Sequence, residues 1–91
     1  MPETTFAVRW PDGAQQTYYS PSLVVHELLE PGASYEVGEL VRRTGDAMHE
    51  ASERVRAKFG FACTSAMQTL ERVQSHAARY PLDGTATVVP E

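Results

Sequence analysis

The chain has 91 residues, 42% of them hydrophobic, which suits one modest core and excludes a disordered chain. Its net charge of −4 disfavours phosphate backbones and anionic membranes, so neither nucleic acid nor a membrane is an expected partner. Apolar runs such as Leu23-Val24-Val25 are too short to span a bilayer.

From Thr4 to Trp10 the residues alternate, with Phe6, Val8 and Trp10 on one face and Thr5, Ala7 and Arg9 on the other. That period of two predicts a half-buried strand. Pro11-Asp12-Gly13 is turn chemistry, since proline presets φ, aspartate bonds its own backbone and glycine accepts positive φ. Ala14 to Tyr19 then completes a hairpin, in which Tyr18 and Tyr19 point to opposite faces. Arg9 is expected to make a cross-strand contact there.

Ser20-Pro21-Ser22 reads as a helix start, and Leu23 to Leu29 as a short, largely buried helix ended by Glu30-Pro31-Gly32. The pair Val24-Val25 leaves a strand as the alternative. Ser34 is the next N-cap candidate, with Glu36 and Glu39 where the helix dipole favours negative charge. Val37, Leu40, Val41, Met48, Ala51, Val55 and Phe59 form an apolar stripe at helical spacing. Glu39 with Arg43, and Glu50 with Arg54, are i,i+4 pairs in the favourable order. Gly38 and Gly45 weaken this helix, and at Thr44-Gly45-Asp46 a kink or a break into two helices is the alternative to a continuous helix. Gly60 suits the left-handed C′ position, with Arg56 and Lys58 beside the negative end of the dipole.

Phe61-Ala62-Cys63 forms a corner, and Thr64 or Ser65 caps a second long helix whose stripe is Cys63, Ala66, Met67, Leu70, Val73, Ala77 and Tyr80. Pro81 stops it, Asp83-Gly84 turns the chain, and Thr85 to Val89 is expected to join the hairpin as a third strand. The fold class expected for residues 1–91, as a single domain, is therefore α+β. A small antiparallel sheet, made of the N-terminal hairpin plus the C-terminal strand, packs on one face against two to three helices in the order ββ-α-α-α-β.

The blocks VRWPDG (Val8 to Gly13), YSPSLVV (Tyr19 to Val25) and ASERVRAKFGFACTSA (Ala51 to Ala66) resemble a family of small bacterial proteins described as a nitrogen-starvation response family. Its genes lie in clusters with a nitrilase, a radical-SAM protein, an acetyltransferase and a flavoprotein. The resemblance covers most of the chain, to about Leu70. It implies a context, nitrogen or nitrile metabolism, and an accessory role in a bacterial cytoplasm. It implies no catalytic residues.

Chemistry-bearing residues are few. Cys63 is the only cysteine, so no internal disulfide can form. Near a helix N-terminus its thiolate would be stabilised, and a nucleophile would need His26, His49 or His76 as base. Its place between Phe61 and Met67 on the apolar stripe favours core filling instead. The histidines have no metal-ligand spacing, and His49-Glu50-Ala51-Ser52-Glu53 lacks the second histidine of a zinc-protease helix. No metal or other cofactor is expected. Arg54 and Lys58 share a helical face and Arg56 turns away, a solvated helix end that suits a carboxylate or a partner's acidic patch. Charge is also segregated: residues 1–40 carry Glu3, Asp12, Glu27, Glu30, Glu36 and Glu39 against Arg9 alone.

With no signal-peptide pattern at the start, cytoplasm is the expected compartment. The favoured function is a non-enzymatic accessory protein that binds a protein of nitrogen metabolism, or itself as a homodimer by strand-to-strand or helix-mediated contact. The alternatives are a small-molecule binding or sensor domain, with Tyr19, Ser20, Phe61 and Cys63 around its pocket, and then a cysteine-dependent enzyme.

Overall fold

The computed structural model describes residues 4–60 and 64–90. In chain order it contains β1 (Thr4–Arg9), β2 (Gln15–Ser20), α1 (Val25–Leu28), β3 (Ser34–Glu36), α2 (Val37–Phe59), α3 (Thr64–Ala77) and β4 (Thr85–Val89). The strands form one antiparallel sheet in the order β2-β1-β4-β3. The architecture is thus the expected α+β one, and the C-terminal run joins the hairpin through Ala7↔Val89, Val8↔Val88 and Arg9↔Thr87.

The alternation in the hairpin sorts the two faces of the sheet. Phe6, Val8, Tyr18, Ala86 and Val88 are buried beneath the helices, whereas Thr5, Arg9, Gln15, Thr17 and Thr85 stand exposed on the bare face. Asp12 accepts the N–H of Ala14 and Gly13 takes φ 89°, as the turn chemistry requires. Arg9 reaches across the strands to Gln15.

Two local expectations are corrected, and one question left open is answered. Ser34 does not cap a helix. Ser34 to Glu36 pairs with β4 as a fourth strand, Ser34 bonding Thr87 at 2.9 Å and Tyr35 lying opposite Ala86 on the core side. The first N–H groups of α2, on Val37 and Gly38, donate to the carbonyls of Gly84 and Leu82, so the loop before β4 supplies the cap that a side chain would. Second, the Ser20-Pro21-Ser22 segment does not start the helix. Strand β2 runs through Ser20, whose hydroxyl turns back onto Ser22, and Ser22 Oγ accepts the N–H of Val24 just before the four-residue α1. Val25 and Leu29 are buried there, but Leu23 is 48% exposed. The open question concerned Gly45: α2 is continuous through it, for 23 residues in all.

The apolar stripe explains that continuity. Val37, Leu40, Ala47, Met48 and Ala51 of α2 bury completely against the sheet and α3 and fix the helix on both sides of Gly45. A Cβ built on Gly45 meets nothing closer than Leu70 Cδ1 at 3.9 Å. Gly45→Ala should therefore stabilise the protein by about 0.5–1 kcal/mol, read as a rise in the urea midpoint. A loss of stability would show that the helix bends there in solution. The ion pairs Glu39–Arg43 and Glu50–Arg54 form at 3.1 and 3.3 Å, and Gly60 ends α2 at φ 82° with its N–H on Arg56. Arg43 also bonds the carbonyl of Leu28 and lies over the Tyr35 ring, tying α1 and β3 to α2. The side chain of Phe59 lies outside the description, as does the cap of α3, which begins at Thr64.

Candidate binding surface

The two edges of the sheet differ. Strand β3 is three residues long and ends on Glu36, two features that discourage pairing with another chain. Strand β2 is six residues of QQTYYS, without charge, proline or bulge. The phase of the ladder follows from Trp10 N–H bonding Ala14 O beside the hairpin turn. Counting back through the register, Gln16, Tyr18 and Ser20 bond β1, while Gln15, Thr17 and Tyr19 turn their backbone groups outward. The Thr69 hydroxyl donates to the Tyr19 carbonyl at 2.7 Å, so α3 covers that end of the edge. Gln15 and Thr17 have no strand beyond them among the described residues.

Beside this edge, β2 and α3 share a polar and aromatic network. Trp10 Nε1–H donates to Tyr18 Oη at 3.1 Å, and Tyr18 Oη contacts His76 Nδ1. Trp10 stacks on Tyr80 with centroids 5.5 Å apart and the rings 7° from parallel. Tyr80 Oη donates to Asp12, which ties the end of the helix pair to the hairpin turn. Arg72 lies over the Tyr18 ring at 5.1 Å.

Each titration follows from this geometry. Burial pushes the Tyr18 hydroxyl up, against the Trp10 bond and the Arg72 charge. Burial, with the charges of Arg72 and Arg79, holds His76 below its ordinary 6.5. The Ala14 N–H, then the Tyr80 hydroxyl, hold Asp12 below the usual carboxylate range. A depression of about 460 Å³ opens on the outer face of α3 between Gln68, Glu71, Arg72, Ser75 and His76. Two others lie elsewhere, one between α2 and α3 at Val41 and Leu82, one at Thr4 and His26.

The residues singled out from sequence do not form one site. Tyr19 is half-buried on the bare face of β2, while Ser20 is buried and engaged with Ser22. Arg54 and Arg56 pair within α2, with Glu50 and Glu53, and Lys58 is exposed in its last turn. Phe61 and Cys63 lie outside the described residues. Tyr19 and Ser20 line none of the three depressions above. Sequence reading placed Trp10 on the core face and Tyr18 and Tyr19 on opposite faces, but did not join Tyr18 to Arg72 and His76, which stand more than fifty residues away. Among the described residues no group of three His, Cys, Asp or Glu could hold a metal ion, and no helix is long and apolar enough to cross a membrane.

The class defined by this arrangement is a small α+β domain with one open, uncharged sheet edge flanked by the donor-bearing face of a helix. The chain belongs to the family of the nitrogen starvation-induced protein NitG, which it matches over residues 5–90. No curated protein and no solved structure matches it.

Proposed function

We propose that the protein is an accessory binding protein of the nitrogen-starvation response. It acts in the cytoplasm, catalyses no reaction itself, and docks onto a protein of nitrogen or nitrile metabolism by taking an extended segment of that partner along β2. The observation that carries this reading is the open edge at Gln15 and Thr17, unguarded by charge, proline or bulge, in a chain whose other edge is short and charged. Strand addition draws its affinity from backbone hydrogen bonds, and this edge presents them ready-made.

Thr17→Pro tests the reading. The Thr17 N–H points away from β1, so proline removes an outward donor without breaking the ladder. Thr17→Lys is the milder companion, adding an edge charge. Each chain is isolated from nitrogen-starved cells under native conditions and weighed by native mass spectrometry. The parent chain is expected in a defined complex with a second protein, and both variants as folded monomers with unchanged circular dichroism. A parent chain that is monomeric in those cells contradicts the reading. A pure homodimer lost in both variants would assign the edge to a second copy instead.

A further inference from the structure

We propose that the depression on the outer face of α3 is a carboxylate subsite, with Arg72 and His76 as its principal donors. This rests on strand addition at β2 and names the partner's chemistry: the added segment is acidic and sets one carboxylate on this site.

Hydrogen-bond direction fixes what the site offers. Indole N–H can only donate, so Tyr18 Oη accepts from Trp10, and giving its own proton to His76 Nδ1 lets the buried hydroxyl use its donor as well as an acceptor site. His76 is thereby held as the tautomer protonated on Nε2. His76 lines the depression, so its Nε2–H is the ring group left to offer to it. It is a donor there even when the ring is neutral.

Arg72 supplies the charge. Arg42, Arg43, Arg54 and Arg56 each pair with an acidic side chain along α2, whereas Arg72 forms no ion pair among the described residues. Its guanidinium lies over the Tyr18 ring, and a guanidinium there can still offer N–H groups to a planar acceptor. Ser75 and Gln68 add a hydroxyl and an amide. Arg72 is the one cation lining the depression, with Arg79 adding charge at His76 and Glu71 opposing it on the same rim, a balance that suits a monoanion better than a dianion such as phosphate.

The site is placed to serve the strand. Thr69 on Tyr19 and His76 on Tyr18 hold α3 along β2, with Thr17 next in the chain. Every second side chain of an added strand would point to the face that carries Tyr18 and α3. An acidic residue there would meet Arg72 and His76 in a chain whose net charge is −4 and whose arginines on α2 are paired with carboxylates.

The test uses the purified full chain and nitrogen-15 NMR of the Arg72 Nε and His76 ring signals. Sodium acetate, at constant ionic strength against chloride, should shift both signals saturably, and the shifts should vanish in Arg72→Gln. No saturable shift, an unchanged response in Arg72→Gln, or a stronger response to inorganic phosphate would overturn the subsite. A second arm uses the blocked peptides acetyl-TVTETVT-amide and acetyl-TVTQTVT-amide. The glutamate peptide should bind about tenfold more tightly than the glutamine one, the size of one charge-assisted bond, and Arg72→Gln should remove the difference. Equal binding of the two peptides overturns the acidic-segment proposal. Thr17→Pro separates the two readings, because it should abolish peptide binding and keep the acetate response. An acetate response with no binding of either peptide to the parent chain rejects strand addition and leaves the carboxylate subsite standing.

Discussion

Leu40→Ala should remove about 2–5 kcal/mol of folding stability. Leu40 is fully buried on α2, in the cluster that contains Phe6, Val8, Met48, Val73 and Val88, where sheet and both long helices meet. Truncation loses the transfer free energy of the removed carbons and leaves a cavity that the sheet on one side and α3 on the other cannot both close. Small domains hold roughly 0.05–0.15 kcal/mol per residue, so this single change consumes much of the margin of a 91-residue chain. The midpoint of urea unfolding should fall sharply with the slope unchanged. Leu82→Ala is the control: Leu82 is 72% exposed, and its loss should matter little. A cost at Leu40 below about 1 kcal/mol would mean that α2 is not seated on the sheet as described.

Tyr18→Phe should cost about 1–3 kcal/mol without opening a cavity, because the ring stays and only the hydroxyl leaves. That hydroxyl serves two groups. Trp10 is 2% exposed and loses the acceptor for its indole N–H, and His76 Nδ1 loses its donor. The variant also carries a signature that simple destabilisation lacks. Burial, Arg72 and Arg79 hold the His76 midpoint down, and a hydroxyl that donates to Nδ1 adds to them by favouring neutral imidazole, so its removal should raise the midpoint part of the way toward 6.5. In the native chain the folded pKa of His76 lies below that ordinary value, so the unfolded state takes up the proton first. The contribution of His76 to stability is complete above 6.5 and declines as pH falls through the lowered folded value. This acid-side loss should shrink in Tyr18→Phe. An unchanged midpoint measured by NMR, with a stability change under about 0.5 kcal/mol, would contradict the network.

The contrast between these two sites shows what the sequence disclosed. Leu40 was legible because α2 repeats its apolar positions at helical spacing over 23 residues, and the core follows that repeat. The hairpin was legible for the same reason at period two, and Gly60 because a left-handed stop needs glycine. Strand β3 was not: three residues hold no period, and Ser34 with two nearby glutamates imitates a helix start. What decides its state is distant, since Thr87 and Ala86 pair with it and carbonyls of the Leu82–Gly84 loop occupy the helix N–H groups that Ser34 would have capped. Ser20 misled likewise, because its hydroxyl serves a bend after a strand as readily as a helix cap.

The candidate surface was half legible. Periodicity put Trp10 on the core face and separated Tyr18 from Tyr19. It also put Ala66, Val73 and Ala77 inward on α3, which leaves Gln68, Arg72, Ser75 and His76 around its outer side. Nothing local says that this side of α3 adjoins β2 rather than solvent, because the contact joins residues 58 positions apart. The basic end of α2 drew attention by its density of charge, yet Arg54 and Arg56 are paired one turn back, and the more available guanidinium belongs to the isolated Arg72. Charge density was a weaker guide to a binding surface than the lack of a local partner.

The most direct test of the open edge is amide hydrogen exchange at Thr17, resolved by residue, on the free chain at low concentration and on the complex isolated from nitrogen-starved cells. Free, the Thr17 amide should exchange nearly as fast as in an unfolded peptide while Val8, in the middle of β1, is protected; in the complex, Thr17 should become protected. A Thr17 amide protected in the free monomer, or one that still exchanges freely in the complex, would contradict strand addition at β2.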